Sequence, residues 1–180
     1  MSSVVRRLPF EERPEEVSVG LERIRIHPYQ VIVWVSITTQ ETMELPSHSP
    51  RFPAVLDTGH NLNFSIREQQ LSDWARLSRD QLPRRGSSVV NGEVVSLHAA
   101  SVWIHPNHPG TKDVIADQPP FRLDFREGID LRSGTNSPRL PLLGLRALAR
   151  NKLHLVVDAQ NRVVDLRSPD WRTKVIGMLK

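Results

Sequence analysis

Hydrophobic and polar positions along this chain alternate with a period of two over most of its length. The run "YQVIVWVSITT", Tyr29 to Thr39, is rich in β-branched residues and reads as a strand. The loop "QETMELPSHSP" follows, with Pro46 and Pro50 as breakers. Apolar Ala54, Val55 and Leu56 then run into Asp57-Thr58-Gly59. Alternating Leu62, Phe64 and Ile66 predict a turn at Gly59 and a second strand. In "SIREQQLSDWARLSRDQLP" the period becomes helical. Leu71, Trp74, Ala75 and Leu77 share one face, with Ser65 as the expected N-cap and Pro83 as the stop. "VVNGEVVSLHAASVWIHP" returns to a strand pattern, with a hairpin signal at Asn91-Gly92. "HPNHPG" reads as a turn, "PFRLDF" as a strand and "REGIDLRSGTNSPR" as an irregular loop. Last, "LPLLGLRALARNKLHLVVDAQNRVVDL" predicts a short strand ending at Gly144, one or two helical turns, and a hairpin turning at Asp158 to Asn161. The predicted fold class is mostly β, with two helices.

Three regions follow from this pattern. Residues 1–22 form a polar lead with Pro9, Pro14 and the acidic pairs Glu11-Glu12 and Glu15-Glu16, either a mobile arm or an added edge strand. Residues 23–168 form the patterned domain. Residues 169–180 form a tail whose Trp171, Val175, Ile176 and Leu179 have nothing obvious in their own domain to cover them, so the tail is expected to contact a partner copy.

Composition changes the picture mainly by exclusion. The chain has 180 residues, 38% hydrophobic and 24% charged, as expected of one soluble domain with a core of its own. It has no cysteine, which removes disulfides, thiolate chemistry and cysteine-ligated metals. No leader-like or membrane-length apolar run is present, so the expectation is a cytoplasmic protein with no membrane partner. The net charge of +4 comes from 24 basic residues interspersed with 20 acidic ones. Without a basic block or a glycine-aromatic signature, no nucleic-acid partner is expected. His98, His105 and His108 are candidate metal ligands, but Pro106 and Pro109 mark an exposed turn with no acidic ligand alongside, so neither metal nor cofactor is expected. Trp34, Trp74 and Trp103 sit in patterned segments and are expected in the core.

One position resists the pattern. Asp57 ends an apolar run, and burying an unpaired charge is costly. Its setting, "AVLDTG" (Ala54 to Gly59) followed much later by "LPLLGLRALARNKLHLVVD" (Leu140 to Asp158), resembles the retropepsin-like aspartic proteases. That group comprises the retroviral proteases and their cellular relatives. The amphipathic helix after the Asp strand is more similar to the cellular branch, and the resemblance spans roughly Gln30 to Leu166.

The resemblance implies a half-barrel with one helix after the Asp strand and a short helix after Leu-Leu-Gly. It implies an aspartic endopeptidase acting on protein or peptide substrates. Asp57, Thr58 and Gly59 would be catalytic, and His60 and Gly92 would lie at bound substrate. The chain holds one Asp-Thr-Gly, since "LVVDAQN" at Asp158 lacks the glycine, so the active site requires a homodimer with its two-fold axis between two copies of Asp57. "RRGSSVVNGEVV", Arg84 to Val95, is the flap candidate; the other reading is an ordinary surface hairpin.

Two departures stand beside these matches. The family places alanine or serine after the glycine, where this chain has His60. The retroviral branch pairs an acid two residues past that glycine with an arginine after the later glycine, where this chain has Asn61 and Leu145. A histidine near its reference pKa of about 6.5 would be cationic at acidic pH and would resist protonation of the carboxylate pair. The alternative function is therefore a catalytically weak or inactive retropepsin-like module for dimerisation or peptide binding.

Overall fold

The computed structural model describes residues 2–90, 92–133 and 139–169, and within them the β-branched runs become strands. Strand β1 (Ser2–Pro9) is followed by the hairpin of β2 (Glu15–Val19) and β3 (Glu22–Ile26). Next come β4 (Ile32–Thr38), β5 (Phe52–Asp57) and β6 (Phe64–Arg67), then helix α1 (Glu68–Ala75). A 3-10 turn at Arg79–Gln81 leads into β7 (Arg84–Val90), β8 (Glu93–His98) and β9 (Ser101–Ile104). The order continues with β10 (Phe121–Leu123), β11 (Ile129–Arg132), β12 (Leu142–Gly144) and helix α2 (Leu145–Arg150). It ends in the hairpin of β13 (His154–Asp158) and β14 (Val163–Ser168), whose turn is pinned by Asp158 accepting hydrogen bonds from Asn161. The described part is mostly β, and no helix in it is long and apolar enough to cross a membrane.

Nine strands build one open sheet in the order β10-β9-β4-β5-β12-β6-β11-β8-β7. Its centre is made by insertion. Strand β12 runs parallel to β5, with Leu142 opposite Val55 and Gly144 opposite Asp57, and antiparallel to β6 on its other side. Strand β11 lies parallel to β6, with Asp130 opposite Ser65. Central strands are covered on both faces, which is why "FPAVL" is continuously apolar rather than alternating. Helix α1 packs Leu71, Trp74 and Ala75 into the core, and the Trp74 and Phe52 rings meet at 6.1 Å.

A second sheet of three strands, β1-β14-β13, closes the far side of the core. The N-terminal lead is thus not a loose arm. Val4, Val5 and Leu8 of β1 are buried, and Ser2 pairs with Ser168 at the other end of the chain. The boundary expected at residue 22 falls at the first residue of β3. The expected partner-contacting tail, residues 169–180, lies from residue 170 on outside the described residues.

Three expectations are corrected. Helix α1 begins after Arg67 and not after Ser65, because Ser65 is still within β6 and spends its hydroxyl in the core. The helix ends at Ala75, well before Pro83. Arg76 turns left-handed (φ 56°), its N–H bonding to the Leu71 carbonyl, and this ends the helix without a breaker residue. The supposed irregular loop contains β11, since a period-two alternation of Ile129 and Leu131 with Asp130 and Arg132 does build a strand once the charges are paired.

The insertion of β12 depends on a residue without a side chain. A Cβ on Gly144 would stand 2.0 Å from the Leu62 carbonyl oxygen and 2.6 Å from that of His60. Gly144→Ala should therefore cost about 3 kcal/mol or more, or prevent folding, because two backbone segments would have to separate. Gly86→Ala meets no atom within 4 Å. It should shift stability by no more than about 0.5 kcal/mol, and urea titration of the two variants measures the contrast.

Candidate active site

The chain leaves β5 at Asp57 and turns at once. The His60 N–H donates to the Asp57 carbonyl at 3.2 Å, which closes a four-residue turn with Thr58 and Gly59 exposed at its tip. The Gly59 N–H donates to Asp57 Oδ1 at 2.9 Å, and a Cβ at position 59 would sit only 3.3 Å from that oxygen. Glycine therefore lets the backbone approach the carboxylate closely. Asp57 itself is half-buried. Beyond the turn, residues 60–63 lie down on β12, and the Gly144 N–H donates to the Asn63 carbonyl at 3.0 Å. Asn63 is buried and donates to the Gly128 carbonyl at 3.3 Å, tying this segment to the start of β11.

The structure thus brings Asp57, Thr58, Gly59 and His60 into one turn beside Gly144. It places Gly92 elsewhere, at the tip of the β7–β8 hairpin, where its φ of 81° suits a residue without a side chain. Strand β8 is the fourth strand along from β5 in the sheet. Near that tip, the paired Val89 and Val94 are 69% and 73% exposed, a small apolar patch facing outward.

His60 does not stand in solvent beside the carboxylate. Its residue is only 9% exposed, and Nε2 lies 2.7 Å from Ser65 Oγ. The Ser65 hydroxyl donates to Asp130 Oδ2 at 2.7 Å, and Arg132 Nε donates to the same oxygen at 2.8 Å. A serine has one proton to give. With that proton on Asp130, the imidazole must donate to the serine, so Nε2 carries a hydrogen. Burial lowers the pKa of His60 from its ordinary value and the Arg132 charge adds to this, while Asp57 and Asp130 pull the other way. The cationic form of His60 is therefore less favoured than in a free imidazole, whereas the sequence-based expectation takes the ordinary value.

Sequence reasoning missed Ser65, Asp130 and Arg132. The signal was present as "IDLR", an acid and a base two apart between apolar residues, which puts both on one face of a strand. Asp130 is 1% exposed, and its Oδ1 is buried with no hydrogen-bond partner among the described residues. The other histidines are corrected too. His105 is buried rather than exposed on a turn, His108 is exposed as expected, and His98, the last residue of β8, is buried. His98 Nδ1 lies 2.8 Å from the Leu82 carbonyl, and His105 Nε2 lies 2.8 Å from Ser36 Oγ. Among the described residues, no three histidines or acids are grouped so as to hold a metal ion.

Compared with known proteins, the chain matches no family model and no curated protein sequence.

Two outcomes follow from these buried rings. Replacing His60 by alanine leaves Ser65 with an unfilled acceptor site beside a new cavity. His60→Ala should lower stability by about 1–3 kcal/mol in urea unfolding, instead of acting as a neutral surface change. The second outcome concerns pH. Burial, together with the Arg51 charge, brings His105 down to about 4. The unfolded chain then takes up the proton first, at its ordinary pKa of about 6.5. The stability His105 contributes is complete above that value and is lost progressively as pH falls towards about 4. Urea midpoints should therefore decline through this window, and His105→Gln should flatten part of the decline above the range where carboxylates titrate.

Proposed function

We propose that the chain is a retropepsin-like aspartic endopeptidase acting as a homodimer. The observation that carries this reading is the register of Gly144 beside Asp57. A Leu-Leu-Gly strand is threaded next to the Asp-Thr-Gly strand, so the carboxylate stands at the end of a rigid sheet and not on a free loop. The exposed Thr58-Gly59 tip and the half-buried Asp57 leave this corner open to a second copy. The short helix α2 directly after Gly144 and the helix α1 after β6 agree with the half-barrel expected of such a protein. The β7–β8 hairpin, with its exposed valines, is the flap of this reading, and Gly92 gives its tip the freedom to bend.

In the dimer, two Asp57 carboxyls face each other across the axis and share one proton, because two like charges at that distance cannot both persist. A water held between them is polarised by the ionised carboxylate, which takes its proton as the water attacks the peptide carbonyl. The protonated carboxyl hydrogen-bonds to the carbonyl oxygen as negative charge develops there. The proton then passes to the leaving nitrogen. Gly59 N–H steadies Asp57 Oδ1 throughout. His60, turned onto Ser65, holds the segment after the turn and leaves the carboxylate face free for substrate.

Peptide-library cleavage across acidic to neutral pH tests this reading. Wild type should cleave, with a rate per chain that rises with protein concentration as dimers form. Asp57→Asn should lower the rate by at least about 100-fold while leaving sedimentation unchanged, since only the base on the water is lost. Dimeric protein that cleaves no peptide at any pH would sink the enzyme reading in favour of the inert dimerisation or peptide-binding module.

A further inference from the structure

A cavity of about 370 Å³ opens on the face of β5 that carries Asp57. Val55 and Leu142 form its floor with Leu140, and Arg25, His27 and Arg139 stand around it. Val55 precedes Asp57 by two residues, so both side chains leave the strand on the same side, about 7 Å apart along it. Leu142 is opposite Val55, as Gly144 is opposite Asp57. The cavity is therefore one strand repeat away from the proposed chemistry.

Its charge is one-sided. Among the described residues, no carboxylate lines it. Arg25 and Arg139 are exposed, and among the described residues neither side chain is in an ion pair. Glu16, which faces Arg25 across the β2–β3 hairpin, is not bonded to it. A neighbouring recess shares both arginines and adds Arg23, with Glu22 and Asp73 among its walls. Two guanidinium groups over an aliphatic floor suit a side chain with methylenes below and a carboxylate above. The planar fork of arginine also matches a carboxylate in two-point geometry.

We propose that this cavity receives a substrate side chain next to the scissile bond and that Arg25 and Arg139 make it select an acidic one. This rests on the peptidase reading above, and it narrows the substrate class to peptides with glutamate or aspartate beside the scissile bond, on either side of it because the two-fold dimer carries two copies of the cavity. The selectivity is of charge-assisted, partly solvated type. It should amount to roughly five-fold over the neutral amide and should weaken with added salt.

Two arms test it. In the first, wild type and the Arg25→Gln/Arg139→Gln double variant cleave the same peptide library. An acidic preference at positions flanking the scissile bond in wild type, lost in the double variant, supports the proposal. Cleavage without such a preference overturns it and leaves the peptidase reading standing. In the second arm, full-length Asp57→Asn is titrated with a fluorescein-labelled short peptide alternating leucine and glutamate, and with its leucine–glutamine counterpart. Tighter binding of the glutamate peptide, abolished by the same two substitutions and reduced at high salt, supports the anion-selective cavity even if no peptide is ever cleaved. In that case the peptidase reading alone falls. Equal binding of the two peptides, or a glutamate preference that survives the double substitution, overturns the proposal. Both arginines are exposed, so an unchanged melting temperature of the double variant separates a lost contact from a lost fold.

Discussion

Most of this molecule depends on the approach of one strand to two backbone carbonyls. Strand β12 is only three residues long, yet it fills the gap between β5 and β6 and so joins the two halves of the main sheet. It fits because Gly144 presents no side chain to the carbonyls of His60 and Leu62. That contact sets the register of Gly144 with Asp57, the path of residues 60–63, and the point from which helix α2 departs. Leu143, between the flanking strands, is wholly buried, so apolar contact holds in place what the missing Cβ permits. The candidate carboxylate inherits its position from this arrangement.

Behind that turn lies a second constraint, a charge in a central strand. Taking Asp130 out of water is expensive, and its attraction to Arg132 offsets this only with good geometry and further hydrogen bonds. The Ser65 hydroxyl supplies one of those bonds, and His60 supplies the serine's own. Asp130 Oδ1 has no partner among the described residues, and an acceptor buried without one costs about 1–3 kcal/mol. What the network contributes is specificity of position. It links β6, β11 and the segment after Asp57 through side chains that accept few alternative arrangements. His105 repeats the device on β4, where the Ser36 hydroxyl donates to the Pro50 carbonyl and stands 2.8 Å from His105 Nε2.

The legible parts of the sequence were those written locally. The turn at Gly59, the hairpin around Gly92 and the Asp158–Asn161 turn each carry their signal within a few residues, and so does the helical face of Leu71, Trp74 and Ala75. The parts that stayed hidden are decided by partners far along the chain. Parallel pairings such as β11 with β6 have no connecting turn to announce them, and an aspartate in "IDLR" looks like loop until its arginine and serine are known. The N-terminal lead was ambiguous for the same reason. Its valines become core residues only because β14 lies alongside. At the candidate site, Asp57, Thr58 and Gly59 were readable as a motif. The inward turn of His60 was not, since it follows from Ser65 and a strand that begins more than sixty residues later.

The pairing of β1 with β14 also bears on how the chain is made. Val5 meets Leu166 and Leu8 meets Val164, so β1 leaves the ribosome well before the strand that covers it. At roughly 5–20 residues per second, that interval is on the order of ten to thirty seconds. Over this time Val4, Val5 and Leu8 have no β14 to cover them. Gap-filling β12 arrives late as well, leaving the facing edges of β5 and β6 open. A nascent chain of this topology therefore leaves apolar residues and strand edges uncovered until β12 and β14 emerge, which favours aggregation at that stage.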